Sequence, residues 1–273
     1  MTSDTARAAL HGDCSACAGL CCVQPAFSRS SEFGHDKAPN TPCHNLQGDH
    51  RCGIHADLLD EGYRGCVVYD CFGAGQAVTR HHASITDRLQ AFPAARHLHE
   101  LLWHVKTALM FQGLPPLLLS ELQDAERLVS SSLLAPAAAV PALHARANAV
   151  LVAVSGAVRA GQPAALLDLR GADRVGADLR GSELRGANLR GALLLGADLR
   201  GVDLSFADVT GADFRGAHVH GAHLAQALWL TPVQVAAAVG DETTTLPTGV
   251  RPRSWSAVVA LGRPQRRPPA LPS

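Results

Sequence analysis

Between residues 167 and 231 the apolar positions recur every five residues. Read in fives, the segment is LDLRG ADRVG ADLRG SELRG ANLRG ALLLG ADLRG VDLSF ADVTG ADFRG AHVHG AHLAQ ALWLT, thirteen consecutive units. Each unit centres on a large apolar residue, chiefly leucine, with a small one, chiefly alanine, two places earlier. A period of five matches neither the 3.6-residue turn of a helix nor the two-residue alternation of a strand, so each unit must hold a corner and a short extended piece. One bulky and one small side chain per unit would then face inward, and the other three positions outward. A short fixed repeat of this kind marks a solenoid.

Upstream the period changes to that of a helix. From Pro93, PAARHLHELLWHVKTALM sets Leu98, Leu101, Leu102, Val105 and Leu109 at steps of three and four, which predicts an amphipathic helix with proline in its first turn. Gly113-Leu-Pro-Pro stops it. A second helix is expected from Pro116 to about Leu133, with Leu118, Leu122, Ala125 and Val129 inward, and a third through Leu143, Ala147, Val150, Val154 and Val158 before Gly161. Beyond the repeats, Thr231-Pro232 has the form of an N-cap followed by proline at the first helical position, so a short helix ending at Gly240 should cover the last coil. From about Leu246 the chain becomes rich in proline and arginine, with Arg251, Arg253, Arg263, Arg266 and Arg267, and reads as a disordered tail. The chain thus divides into a cysteine-rich module (1–78), an α-helical connector (79–162), the repeats with their capping helix (163–240) and the tail (241–273).

The five-residue units resemble the pentapeptide-repeat family. That resemblance implies a right-handed quadrilateral parallel β-helix of four units, twenty residues, per coil. On that register Leu169, Leu189, Val209 and Trp229 stack in one column and Arg174, Leu194 and Phe214 in another. Arg174 breaks the inward pattern, and an unpaired buried guanidinium would cost several kcal/mol. The first coil is therefore expected to be irregular and to pack on the helices. Some members of the family protect DNA gyrase by imitating the acidic rod of duplex DNA. Here eight acidic residues (Asp168, Asp173, Asp178, Glu183, Asp198, Asp203, Asp208, Asp213) meet seven arginines (Arg170, Arg174, Arg180, Arg185, Arg190, Arg200, Arg215), which argues against mimicry and for surface ion-pair ladders.

All eight cysteines lie in the first 71 residues: Cys14, Cys17, Cys21, Cys22, Cys43, Cys52, Cys66 and Cys71. A thiolate-bound metal needs sulfurs converging at ~2.3 Å, and Cys14-x-x-Cys17 supplies two from one turn. Cys21 and Cys22 are adjacent. On an extended backbone they would point opposite ways, toward different centres or a shared cluster. Eight thiols suffice for two four-coordinate sites. His44, His50 and His55 lie beside these cysteines and could replace a sulfur, although solvated loop histidines are the simpler reading. His97 and His104, seven apart on one helix face, are read as edge positions of the leucine stripe. The phrases CSACAGLCC, PCHNL, CGIH and GCVVYDC together resemble the YkgJ-like zinc- or iron-chelating cysteine-cluster family over residues 14 to 76. The resemblance implies a bound metal. That family's usual opening has two residues before the double cysteine, whereas this chain has three, Ala18, Gly19 and Leu20.

Lys plus Arg and Asp plus Glu both total 24, which leaves no long-range attraction for nucleic acid or anionic lipid. No signal-peptide core and no uninterrupted apolar run of membrane-spanning length is evident, so a cytoplasmic protein is expected, and there clustered cysteines bind metal or do redox chemistry more often than form disulfides. A redox CxxC normally opens a helix after a buried strand, and ARAALHGD is no such strand. No Ser/His/Asp set, phosphate-cradling loop or HExxH motif points to an enzyme. The expectation is a non-catalytic scaffold with a structural zinc and an unidentified protein partner. The alternative is an iron- or redox-responsive protein with iron or an iron–sulfur cluster on the same thiols.

Overall fold

The computed structural model describes residues 10–250 together with Arg7, Pro252 and Trp255. Most of the Pro/Arg-rich stretch, including Arg253, Arg263, Arg266 and Arg267, lies outside the described residues.

The repeats form a solenoid. Single-residue parallel bridges link Asp168 to Asn188, Asp173 to Leu193, Asp178 to Asp198 and Asn188 to Asp208, and each step advances the chain by one coil of four units. Among the described residues no longer strand forms, because a corner interrupts every extended piece. Glycines close most units with φ near +65°, as at Gly191 (φ 64°) and Gly196 (φ 64°). At Gly186 the need is double: φ is +80°, and a Cβ there would lie 2.3 Å from Gln162 Cβ. Phe206 takes the corner with φ 59°, and its ring lies 4.9 Å from the Arg185 guanidinium.

Inside the solenoid Leu189, Leu194, Leu199, Leu204 and Val209 are fully buried, with Ala187, Ala192, Ala197 and Ala207 between them. Burying each leucine removes roughly 1.5–3 kcal/mol worth of apolar surface from water. The first coil is more regular than expected: three of its four faces carry the twenty-residue bridges to the second, and the fourth, at Glu183, carries none. Arg174 is tolerated because that coil is the open end: it is half-buried, and its Nη1 donates to the Asp173 carbonyl at 2.7 Å.

Seven α-helices accompany the solenoid among the described residues: α1 (Leu20–Val23), α2 (Arg64–Val68), α3 (Ala74–His81), α4 (Ile85–Ala108), α5 (Pro116–Ser131), α6 (Val140–Arg159) and α7 (Pro232–Ala237). Helix α4 begins eight residues before the expected start at Pro93, which lies inside it. The start is set by Ser84, whose Oγ accepts from Asp87 N at 3.0 Å while donating to the Asp87 carboxylate at 2.7 Å. A proline inside a helix loses its own N–H bond and crowds the carbonyl four residues back, a cost of ~3 kcal/mol, and burial of Phe92, Leu98, Leu101, Leu102 and Trp103 outweighs that loss. Helices α4, α5 and α6 pack on one another, burying Leu122, Val129, Ala147, Leu151 and Val154. The stretch Ala137–Arg159 is long and apolar enough on average to cross a membrane, yet here Ser155 and Arg159 bond to the solenoid, at Asp208 and the Gly186 carbonyl.

Helix α7 has the expected cap, with Thr231 Oγ1 accepting from Gln234 N at 3.2 Å and Gln234 Oε1 accepting from Thr231 N at 2.9 Å. The ladder runs past Gly240, however. His218 bridges Val239, His223 bridges Thr245, and Val250 is buried. The part of the 241–273 segment up to residue 250 therefore belongs to the solenoid end, because α7 is inserted into a coil that resumes after it.

Candidate functional site

The cysteine-bearing segment is built from short turns that need help to hold their shape. Asp13 opens a 3₁₀ turn over Cys14–Ala16 by accepting from Ser15 N at 2.9 Å, and its own N–H donates to Gln76 Oε1 at 3.1 Å. Gln76 Nε2 in turn donates to the His11 carbonyl, which fixes the start of the segment to α3. The chain then reverses at Gly19 (φ +68°), where a Cβ would stand 2.8 Å from Leu46 Cδ1. That turn leads into α1, so Cys21 and Cys22 sit on a helix and not on an extended backbone. Neighbours on a helix still diverge by about 100°.

One consequence is that Cys21 and Cys22 face different surroundings while their sulfurs remain 4.0 Å apart. Cys14, Cys17, Cys21 and Cys71 line one pocket of about 20 Å³ with Asp13, Gly75, Gln76 and Phe92. Cys22 turns the other way, toward the segment that carries Cys43, Cys52 and Cys66. There Cys43 N donates to the Cys22 carbonyl at 2.9 Å, and Cys52 pairs with Leu46 across an antiparallel bridge. None of the eight cysteines is in a disulfide.

The electrostatics follow this layout. Within the adjacent pair, the Cys21 thiol donates toward Cys22, which raises Cys21 and lowers Cys22. Lys37 adds to the lowering of Cys22. Its Nζ is held by the carbonyls of Val23 (2.9 Å), Pro25 (2.5 Å), Ala38 (3.2 Å) and Thr41 (2.8 Å), and burial lowers its own affinity for the proton. Burial raises Cys43, Cys52 and Cys71. Cys66 is pushed up to about 12, first by burial and then by Cys22, Cys43 and Cys52 around it.

In kind, this donor set fits a thiophilic metal ion, because thiolate sulfurs are soft donors. As placed, no three of the histidine, cysteine, aspartate or glutamate side chains among the described residues stand close enough to enclose an ion. The histidines do not complete either group. His44, His50 and His55 are exposed, and the His44 ring lies tilted against His35 with ring centroids 4.1 Å apart while Tyr63 Oη lies 3.3 Å from its Nε2. His97 lies 6.4 Å ring to ring from His144, and His104 has a buried Nε2 with no hydrogen-bond partner.

Sequence reasoning missed the polar joint between helices and solenoid. Asp208 is fully buried, accepting from Ser155 Oγ (2.6 Å), Thr210 Oγ1 (2.6 Å), Thr210 N (3.0 Å) and Arg190 Nη1 (3.2 Å). Arg190 also donates to Asn148 Oδ1 at 2.8 Å. A signal existed: Thr210 stands where six of the thirteen units carry arginine.

Residues 182–221 match the family model for pentapeptide repeats (8 copies). Over 118 residues the chain is 41% identical to the uncharacterized protein YybG of Bacillus subtilis (strain 168), a match that covers 40% of this chain and 42% of YybG. Among solved structures, a pentapeptide repeat protein from the Arabidopsis thaliana thylakoid lumen is 28% identical, with a TM-score of 0.24, over 38% of this chain and 77% of that one.

Proposed function

We propose that the chain is a non-catalytic metal-binding scaffold, cytoplasmic, in which a thiol-rich module carries structural zinc and the repeat solenoid, a right-handed quadrilateral β-helix, presents a surface to a protein partner. The observation that carries the metal reading is the gathering of all eight cysteines, none in a disulfide, in the segment of α1, α2 and the start of α3. Such a module is too small to be stabilised by apolar burial alone, and a metal held by Cys14, Cys17, Cys21, Cys22, Cys43, Cys52, Cys66 and Cys71 would cross-link its turns. The likeness to the YkgJ-like cysteine clusters agrees with this.

The partner surface is supported by the outer side of the solenoid. Val175, Leu193 and Leu195, exposed by 52, 43 and 38%, adjoin one another across two coils, since Arg174 N and Gly176 N donate to the carbonyls of Leu193 and Leu195. Next to them, Arg180 and Arg200 pair with Asp178 and Asp198 in a charge-balanced ladder that offers nucleic acid no basic face.

The test is elemental analysis and a visible spectrum of the full chain purified without air. Stoichiometric zinc in a colourless protein is expected, along with new hydrogen exchange across residues 14–76 on chelation. Iron with charge-transfer absorption would replace zinc by the redox-responsive alternative, and a metal-free protein with a protected module would overturn the metal reading.

A further inference from the structure

We infer that the open end of the solenoid is shaped to stack on a second copy of this chain and that Arg174 is the residue that prevents it. This end lies apart from the thiols and from the side surface proposed above for a partner, so it stands or falls independently of both.

The end is an unfinished ladder. In the second coil the N–H groups of Asn188, Leu193 and Asp198 donate to the carbonyls of Leu167, Ala172 and Ala177, each at 2.9 Å. Their counterparts one coil earlier are Asp168, Asp173 and Asp178, whose N–H groups meet no acceptor among the described residues. Only the fourth side is covered, where Ala164 N donates to the Arg185 carbonyl at 3.0 Å and Leu184 is buried. The core is open here as well. Leu169, Ala172, Ala177 and Leu179 are half-buried, whereas Leu189, Ala192, Ala197 and Leu199, one coil on, are fully buried. Unpaired N–H and C=O groups beside apolar surface make an edge that another chain can extend.

What fits this edge is narrowly defined. The three donors stand on three sides of a square, so an extended peptide can pair with one side, and only another coil end can pair with all three. In the first coil Asp168, Asp173, Asp178 and Glu183 balance Arg170, Arg174, Arg180 and Arg185, so two such ends meet without net repulsion. The opposite end is covered. There a Cβ on Gly240 would stand 2.7 Å from the Trp255 ring, and Trp255 Nε1 donates to the Ala238 carbonyl at 3.2 Å. With one end open and the other covered, stacking joins like to like and closes at two chains.

Arg174 stands in the way. Twelve of the thirteen units have an apolar residue at their centre, and the exception, Arg174, lies in the coil whose core is uncovered. It heads the column of Leu194 and Phe214, both buried. Its Nη1 donates to the Asp173 carbonyl at 2.7 Å. That carbonyl is on the open edge, as shown by its counterpart one coil on, where the Leu193 carbonyl faces back to accept from Arg174 N at 2.9 Å. The side chain therefore occupies an acceptor that a stacked coil needs. A second coil laid on this end would have to break that bond and bury the guanidinium among apolar side chains, where an unpaired charge is strongly disfavoured. An inward-pointing charge is one of the ways sheet proteins keep an exposed edge from pairing.

The experiment measures the mass of the full-length chain by sedimentation velocity across a concentration series, with a circular dichroism spectrum of each protein. The wild type and Arg174→Lys should run as one chain, while Arg174→Leu and Arg174→Met should shift to a two-chain species as concentration rises. Returning a charge to the same end, as Arg174→Leu combined with Leu179→Arg, should restore the single chain. A folded Arg174→Leu or Arg174→Met that stays at one chain overturns the inference, as does association that grows past two chains or survives in the double variant. A measurement on the wild type alone keeps the test open should removal of the charge prevent folding. The amides of Asp168, Asp173 and Asp178 should exchange with solvent much faster than those of Asn188, Leu193 and Asp198. Protection of the first three, or a two-chain wild type, would mean that the end is already covered and would overturn the role of Arg174.

Discussion

Replacing Asp208 by alanine should be the most damaging single change at the joint between the helices and the solenoid. The carboxylate is fully buried and receives four hydrogen bonds from Ser155, Thr210 and Arg190. Its removal leaves Arg190, 21% exposed, without its counter-charge. Breaking a buried pair by deleting one partner costs about 3–5 kcal/mol, because the remaining charge stays desolvated. Arg190 keeps Asn148, Thr210 and some solvent, which places the loss near the lower end, about 3 kcal/mol. For a chain of 273 residues this corresponds to about 5 °C in calorimetric melting temperature. Two companions sharpen the reading. Arg190→Met combined with Asp208→Ala should recover most of the loss, since no stranded charge remains. Asp168→Ala, in a pair of the same chemistry on the open surface, should shift the midpoint far less. A decrease below about 2 °C for Asp208→Ala, or no recovery in the double variant, would refute the argument that this network fastens α6 to the solenoid.

Two further outcomes follow from positions already described. Gly75→Ala gains about 1 kcal/mol of helix propensity in α3 but puts a methyl 2.7 Å from Cys17 Sγ, so zinc content should fall while thermal stability of the helical layer holds; unchanged zinc would show that the pocket can give. The side chain and N–H of Arg180 hold the Asp178 carboxyl down to about 2, and Arg200 and Arg215 lower Asp198 and Asp213 in the same way, against an ordinary value of 3.8. A depressed folded-state value contributes stability above 3.8 that is lost as protons return, so the melting temperature should decline as the pH drops from about 4 to 2. In Asp178→Asn combined with Asp198→Asn the decline should be shallower, and an equally steep one would remove these pairs as its cause.

The solenoid was legible because its code is local: every unit repeats the same small and large inward residues, and the coil length emerges in bridges such as Asp168 to Asn188. The helices were legible in their faces but not in their starts. The Ser84 cap ahead of α4 is a two-residue signal, and Pro93 offered a louder one that tertiary packing overrode. Where a helix would sit on the solenoid could not be read, because Asp208 has the same place in its unit as the half-buried Asp198 and the exposed Asp168. Ser205 and Thr210 break the arginine rhythm, but so do the exposed Val175 and Leu195, so that break alone did not mark a covered face. In the cysteine module the residue types were plain, whereas the membership of each group depends on the left-handed turn at Gly19 and on α1, which fold through contacts remote in sequence.

The hydrogen bond from Arg64 Nη2 to the Ala237 carbonyl, 3.1 Å long, ties α2 to α7 across 173 positions. At synthesis rates of about 5–20 residues per second, the cysteine-bearing segment emerges from the ribosome roughly 9–35 s before its docking partner exists. During that interval it has no solenoid to lean on and carries exposed, oxidisable thiols. An ion captured at that stage would let the newborn N-terminal part wait in finished form for the far end of the chain.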